Sequence, residues 1–328
     1  MARDNRLDTV KGLLIILVVL GHVIETWGGQ DPVNHAVKGL IYIFHMPLFI
    51  IISGFFTKNP DNQRPRDFWR RTLGLVATLL IFQAISVLNV YGHGGNTILA
   101  LKRFPFGVLW YLMGLIYWRI VLYYTPSALR KRPILYLGLA FVVTMLCGLT
   151  KLGNFLAIQR SLNFYFFFLL GYYYRQGLIP ERWWKANKVH AAVAIVLLPL
   201  IFWLYPRCGN FMNGADHYTI QDLLQKFLIV ACSVSVSLLV YNLTRENKWL
   251  AAIGKESLFY YVYHMFVISL VAKPILLYFD LPHTFPTMLL LTAITLLGVF
   301  LLSLVPLLRW LTRPTQPLKK SIKETSAN

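Results

Sequence analysis

Acidic residues are scarce in this chain. There are 13 Asp and Glu against 32 Lys and Arg in 328 residues, a formal net charge of +19. Charged residues of both signs make up 14%, where an ordinary soluble domain carries about a quarter. The three cysteines, Cys147, Cys208 and Cys232, are too few for a disulfide framework. Cys147 and Cys232 fall in apolar stretches that suit buried small hydrophobes, and Cys208 reads as a lone outer-loop thiol. The sequence has no P-loop, GxSxG, HExxH or CxxC motif, which removes the usual soluble nucleotide, hydrolase, zinc-protease and thiol-redox signatures. Its histidines are scattered singly and no carboxylates cluster at ligand spacing, so neither a metal centre nor a permanently bound cofactor is expected. Long linkers are missing too: no connecting segment exceeds about 20 residues, too short for a separate soluble domain.

What the chain has in quantity is apolar sequence. Hydrophobic residues reach 57% and mean hydropathy is +0.56. They come in runs of about 18–25 residues, enough to cross roughly 30 Å of hydrocarbon as helix. Ten runs can be drawn, at 9–27, 39–57, 70–90, 107–124, 134–150, 161–175, 187–205, 220–243, 256–279 and 285–312. The expected fold is therefore an all-α integral membrane protein of about ten transmembrane helices. One transmembrane domain covers 1–313, and a polar, disordered cytoplasmic tail follows at 314–328. The first run lacks a small-residue cleavage site and carries His22 and Glu25 where one would stand, so it reads as a span rather than a cleavable signal.

The basic residues orient the spans. With the N-terminus inside, 23 Lys and Arg fall on cytoplasmic segments and 6 on the opposite loops, with Arg119, Lys226 and Lys273 inside spans. Such asymmetry is the positive-inside signature and puts both termini in the cytoplasm. The charge is thus topological first and does not call for nucleic acid. Anionic lipid headgroups or an anionic cytoplasmic ligand are its secondary uses.

Ionisable residues inside the spans carry the functional signal. Lys11 and His22 lie eleven positions apart in LDTVKGLLIILVVLGHVIETW. Eleven residues of helix advance about 16 Å and turn only about 20° past three full turns, so the two share one stripe near opposite edges of the hydrocarbon. An ionisable group at a span centre costs about 2.5–3.5 kcal/mol or more, and usually faces a cavity. Glu25 follows His22 at i+3, on nearly the same face. His45, in IYIFHMPLFIIISGFF, reaches the same outward depth on the next span, while His264 lies nearer the middle of the ninth. Each has a plainer reading: a lone histidine in a span often serves interhelical hydrogen bonding, and Glu25 is close enough to the interface to be solvated. Two histidines at matched depth beside a carboxylate favour function.

Other residues stay open between two roles. Arg64, Arg66, Arg70 and Arg71 in TKNPDNQRPRDFWRRTLG suit phosphate groups, or are plain positive-inside charge. Asp8, at i−3, is placed to pair with Lys11. Trp110, Tyr111 and Asn163 begin the fourth and sixth spans on the outward side, where an interfacial aromatic belt and a platform for sugar faces look alike. Pro47 is expected to kink or interrupt the second span, and Gly54, Gly114 and Gly171 to permit close helix packing.

LDTVKGLLIILVVLGH resembles the first span of the membrane-bound acyltransferase-3 family, whose pattern there is Asp, two residues, Arg, ten residues, His. Asp8 and His22 match it, and Lys11 stands at the usual arginine. IFHMPLFIIISGFF is similar to the family's second span, particularly in the branch resembling fucose 4-O-acetylase. LWYL, FYFFFLLGYYY and IGKESLFYYVYH resemble later landmarks. The proline common after the family's basic loop is missing from RTLGLVATLL. The resemblance implies a multi-pass protein of a bacterial cytoplasmic membrane that moves an acyl group, acetyl in the family's pattern, from cytoplasmic acyl-CoA to a hydroxyl of an extracytoplasmic glycan or lipid-linked saccharide. Acetyl-CoA enters as co-substrate. On that reading His22 is the general base, Glu25 orients it, and His45 polarises the thioester or places the sugar. Lys11, Arg66, Arg70 and Arg71 meet CoA phosphates, and Trp110, Tyr111, Asn163 and His264 line the acceptor. The rival is a transporter of a saccharide-related or small anionic substrate, which also needs a polar cavity but no cytoplasmic CoA site.

Overall fold

A computed structural model of the protein describes residues 5–29, 31–92, 95–102, 104–150, 152–153, 155–185, 188–213 and 217–315. The expected polar tail lies outside the described residues from Gln316 onward. Among the described residues there is no strand. The α-helices are α1 Asn5–Trp27, α2 Pro32–Phe55, α3 Pro65–Gly92, α4 Thr97–Lys102, α5 Trp110–Tyr124, α6 Ser127–Arg130, α7 Pro133–Leu146, α8 Ile158–Arg175, α9 Glu181–Trp184, α10 Lys188–Asn213, α11 Leu223–Leu243, α12 Lys248–Lys255, α13 Ser257–Val267, α14 Lys273–Tyr278, α15 Phe285–Ser303 and α16 Pro306–Leu311.

Each apolar run coincides with helix. Among the described residues seven helical stretches are long and apolar enough to cross a membrane: Asn5–Trp27, Pro32–Phe55, Pro65–Gly92, Gly107–Tyr124, Ile220–Leu243, Ser257–Tyr278 and Phe285–Ser303. The run at 134–150 forms the shorter Pro133–Leu149 stretch, and α8 has 18 residues. Three details depart from expectation. The tenth run is broken, because α15 ends at Ser303 and Pro306 opens α16; proline has no N–H to continue a helix but suits a first turn. Of the two outcomes expected at Pro47, a kink or an interruption, the interruption does not occur, since α2 runs through it. Cys208 falls within α10 rather than in an outer loop.

The chain divides into two compact units, one comprising the N-terminal part through Phe49 with Leu239–Thr312, the other Ile50–Leu238 with Arg313–Thr315. In the first, α1 packs against α12, α13 and α15. Glycine makes the α1–α12 contact possible: a Cβ on Gly12 would stand 1.9 Å from the Leu250 carbonyl oxygen, and one on Gly254 would stand 1.8 Å from that of Asp8. Polar ties fix the same crossing. The Thr9 hydroxyl donates to Asn5 O (2.8 Å) and accepts from Asn247 N (3.1 Å), while the Asn247 side chain caps α12 by accepting from Trp249 N and Leu250 N. Arg6 donates to Tyr241 O and Asn242 O at 3.0 and 2.9 Å, satisfying carbonyls at a helix end that has no intrahelical donors for them. Toward the other end of α1, Val19, Val23 and Ile24 join Ile41, Ile268, Met288 and Leu291 in a buried apolar cluster. A π-helical stretch, Ile268–Ala272, links α13 to α14.

In the second unit α8 packs against α5 and α7, and α3 against α5. Gly54 and Gly171 sit where an added Cβ would lie 1.9 and 1.7 Å from the carbonyl oxygens of Phe168 and Ile51, the close packing their positions suggested. Trp118 Nε1 donates to Ser161 O at 2.7 Å. Arg130, counted in the sequence as a topological charge, is buried and ion-paired with Asp61, and its guanidinium also caps the end of α5 through Tyr123 O and Thr125 O.

Candidate active site

The C-terminal end of α1 presents His22 and Glu25 one turn apart, with His22 Nδ1 3.2 Å from Glu25 Oε2. Helix α2 brings three more groups on a single stripe, Lys38, Tyr42 and His45, at i, i+4 and i+7. The Tyr42 hydroxyl donates to Glu25 Oε2 at 2.6 Å, and Lys38 Nζ lies 3.6 Å from Glu25 Oε1. Lys38 also stands 5.4 Å above the Tyr42 ring centre. Gly21 makes room for this ring: a Cβ there would meet Tyr42 Cε2 at 3.1 Å. The Tyr42 and His45 rings are 5.0 Å apart. From α13, His264 places its ring 5.3 Å from that of His22. The three sequence-predicted histidines and Glu25 thus form one cluster, built entirely from the first unit.

Hydrogen bonds assign the ring nitrogens. His45 Nδ1 is 2.7 Å from Ile41 O and His264 Nδ1 is 3.1 Å from Tyr260 O, in each case the carbonyl one helical turn back. A carbonyl can only accept, so both rings carry their proton on Nδ1 and leave Nε2 as a lone pair. The carboxylate makes the same assignment for His22. Its Nδ1–H points at Glu25, which leaves Nε2 free to take a proton and Glu25 placed to stabilise the resulting imidazolium. The His22 side chain is 24% exposed, whereas His264 is 0% exposed. His264, expected to line the acceptor, is therefore walled off from solvent and packs on His22 instead.

At the N-terminal end of the Lys11–His22 stripe, Lys11 Nζ pairs with Asp8 Oδ1 at 2.7 Å, and Asp8 is only 2% exposed. The arginines expected to share a CoA site with Lys11 belong to the second unit. Arg64, Arg66, Arg70 and Arg71 are exposed before and in the first turns of α3, where Arg64 Nε bonds Asp67 at 3.0 Å.

The remaining acceptor candidates also belong to the second unit and have local partners. The Tyr111 hydroxyl is 2.6 Å from Ser53 Oγ. Trp110 stacks on Phe164 at 5.3 Å, with the Arg160 guanidinium 5.4 Å from its ring centre. Asn163 is buried, and its Oδ1 accepts from Lys226, itself buried within α11. Burial leaves Asn163 and Tyr111 as parts of the packed helix interfaces rather than open surface. Among the described residues no group of three or more His, Cys, Asp or Glu stands where it could hold a metal ion.

Sequence reasoning missed Tyr42 and Lys38. The available signal was their register, since reading back from His45 at i−3 and i−7 finds both on the stripe that faces α1.

An all-helical chain with seven helices long and apolar enough to cross a membrane, counted among the described residues, fits the class of multi-span integral membrane proteins. The acyltransferase-3 family, whose model is described as an acyltransferase domain, matches residues 4–304, running across both units, and the chain belongs to that family. Among curated proteins the chain is similar to the Nodulation protein NolL of Sinorhizobium fredii, 48% identical over 56 residues, which cover 16% of this chain and 15% of that protein. It is also similar to the Nodulation protein NolL of Mesorhizobium japonicum, 30% identical over 129 residues, or 34% of this chain and 32% of that one. The matched stretches thus span a third or less of these relatives' lengths. No solved structure gives a significant match.

Proposed function

We propose that this membrane acyltransferase is an O-acyltransferase of a bacterial cytoplasmic membrane, with ten spans and both termini inside. It would carry an acetyl group from cytoplasmic acetyl-CoA to a hydroxyl of an extracytoplasmic glycan or lipid-linked saccharide. The observation that carries the reading is the His22–Glu25 pair, 3.2 Å apart at the outward end of α1. His22 Nε2 takes the proton of the acceptor hydroxyl, the oxygen attacks the thioester carbonyl, and the departing thiolate recovers the proton. General-base assistance of this kind contributes typically about 10²–10⁴-fold. His45 Nε2, a lone pair, suits a sugar hydroxyl rather than a thioester oxygen, which needs a donor.

The donor end rests on geometry and charge. The roughly 16 Å from Lys11 to His22 along α1 suits the thin arm of an acyl-CoA whose phosphates stay in the cytoplasm near Lys11; the exposed Arg66, Arg70 and Arg71 of the second unit are separate candidates for the same phosphates. The 23-to-6 charge asymmetry supports that orientation, and anionic lipid headgroups suit the same basic surface. Family membership favours transfer over transport.

The test is acetyl transfer by purified His22→Ala protein that inserts and folds like the unmodified chain. Loss of turnover by at least about a hundredfold is expected; normal turnover ends the proposal. Thermal stabilisation by acetyl-CoA but not by ATP supports the donor assignment, and no effect of either, with flux of a labelled saccharide in vesicles, would favour the transporter.

A further inference from the structure

Two arginines of the second unit, Arg71 on α3 and Arg119 on α5, are brought to one level by the way their helices pack. Near the start of α3, Phe68 stacks on Tyr123 near the end of α5, with ring centres 3.9 Å apart. Further along α3, the Gln83 side chain accepts from Phe106 N, just ahead of α5, at 2.8 Å. The two helices therefore run antiparallel, and each step forward along α3 is matched by a step back along α5. Three residues on from Phe68 is Arg71; four residues back from Tyr123 is Arg119. In an α-helix these offsets turn about 60° and about 40° away from the aromatic contact. Because the helices run in opposite directions, both turns lead to the same side of the seam. The charge of Arg71 accordingly acts on Arg119.

Arg119 is half-buried within the Gly107–Tyr124 span, and Arg71 is exposed. Among the described residues neither guanidinium has a hydrogen bond or an ion pair to the chain. Asp67, an acidic group within electrostatic reach of Arg71, is bonded to Arg64 at 3.0 Å. Charges inside a span are usually paired or face a water-filled space. A lone arginine can instead extend its head to the interface, but that does not account for two like charges drawn to the same level. Each guanidinium is a planar fork of five donors, and two forks side by side match the oxygens of one phosphate group. We infer that Arg71 and Arg119 form a clamp for a single phosphate group, at the end of the α3–α5 seam that the charge bias reads as cytoplasmic. That phosphate chemistry has two sources, an acyl-CoA and the headgroup of an anionic phospholipid. For the CoA source the inference rests on the donor reading above and deepens it, adding Arg119, which charge counting registered only as a basic residue inside a span. It does not involve His22, so binding rather than turnover tests it.

The experiment uses the full-length protein in a maltoside detergent, which carries no phosphate, and compares Arg71→Gln, Arg119→Gln and the double variant. One arm titrates acetyl-CoA by calorimetry; the other titrates phosphatidylglycerol and follows the thermal midpoint. Each single variant is expected to bind one of these probes about tenfold more weakly, the worth of a charge-assisted hydrogen bond. The double variant should lose less than the product of the two single losses, because both arginines grip the same group. A loss in the acetyl-CoA arm assigns the clamp to CoA, and a loss in the phosphatidylglycerol arm alone assigns it to lipid. The ligand-free midpoint of Arg119→Gln should not fall, since the substitution removes a repulsion. Arg119→Lys, which keeps the charge and loses the fork, replaces Arg119→Gln if that variant fails to insert, and is expected to weaken the same probe severalfold. Unchanged binding in both arms, losses that simply multiply, or a lowered ligand-free midpoint with binding intact overturns the inference. If His22→Ala is inactive while these variants bind both probes normally, only the clamp fails; if His22→Ala is active while they bind weakly, the base assignment fails and the clamp stands.

Discussion

Tyr42 donates its hydroxyl to Glu25 Oε2 across 2.6 Å, the oxygen that also faces His22 Nδ1 at 3.2 Å. One carboxylate oxygen therefore joins α1 to α2 and fixes the tautomer of the proposed base. Lys38 adds an ion pair to Oε1 at 3.6 Å, beside the Tyr42 hydrogen bond to Oε2. A carboxylate near a membrane interior is costly unless satisfied in this way, and here the satisfying groups come from the stripe on α2 that ends at His45.

Removing the Tyr42 hydroxyl tests how far that tie sets the base. Tyr42→Phe keeps the ring beside Gly21 and His45 and leaves Glu25 bonded to His22 and Lys38. The net worth of a typical hydrogen bond is about 0.5–1.5 kcal/mol, so kcat for acetyl transfer is expected to fall about two- to tenfold. Thermal stability should drop by a similar free energy. Steady-state kinetics with varied acceptor checks it, and an unchanged kcat would show that Glu25 holds His22 without help from α2.

Neutralising the carboxylate should cost more. Glu25→Gln preserves shape but offers an amide that can turn a donor toward His22, which selects the wrong tautomer as well as removing the charge that steadies the imidazolium. A charge-assisted bond is worth about 1.5–3 kcal/mol, so kcat is expected to drop at least about tenfold, with the acetyl-CoA KM little changed. A variant that lost acetyl-CoA affinity and kept kcat would move Glu25 from the base to the donor site.

The parts of this site that were legible in the sequence share a cause. Lys11, His22 and Glu25 lie on one helix, where spacing alone dictates direction, and His45 follows from matching depth on the next span. Lys38 was not legible because the hydropathic run begins at 39, while the helix begins at Pro32; hydropathy marks the hydrocarbon boundary, not the end of the hydrogen-bonded turns. His264 was visible as a polar residue in a span, but its contact with His22 joins helices 242 positions apart in sequence, and no local rule encodes it. The same holds for Lys226, a basic residue inside a span, with Asn163, and for Arg130, read as topological charge, with Asp61. The long apolar helices were readable because lipid demands both apolar side chains and internally satisfied backbone. The break before Pro306 is a backbone effect that hydropathy does not sense.

The α1–α12 crossing should tolerate no added side chain. With Cβ positions 1.8 and 1.9 Å from backbone carbonyl oxygens, neither Gly254 nor Gly12 can become alanine unless the helices separate. Overpacking typically costs about 1–3 kcal/mol, and here the obstacle is backbone rather than a movable side chain. Gly254→Ala is expected to lower the thermal midpoint in detergent by several degrees, and Gly254→Val further. Gly138, with nothing within 4 Å of its would-be Cβ, serves as the control substitution without effect. Equal midpoints for Gly254→Val and Gly138→Ala would contradict this packing.

Lys11 and Asp8 call for a paired experiment, because a single substitution confounds binding with folding. Asp8 is 2% exposed and lies 2.7 Å from Lys11 Nζ, so Lys11→Ala removes a charged partner from a buried carboxylate. Breaking such a pair from one side typically costs about 3–5 kcal/mol, whereas replacing both partners by neutral groups of similar size is often close to neutral. The single variant is therefore expected to lose stability, and the double variant Lys11→Met with Asp8→Asn to recover most of it. If Lys11 also meets a CoA phosphate, the recovered protein should still show a raised acetyl-CoA KM, by about tenfold or less for one charge–phosphate contact at a partly wet site, with kcat preserved. Lys11→Arg keeps the charge for Asp8 and supplies the planar fork, so it should match or lower the unmodified KM. A double variant with both stability and KM restored would make Lys11 a structural partner of Asp8 alone. The donor phosphates would then depend on the exposed arginines that open α3.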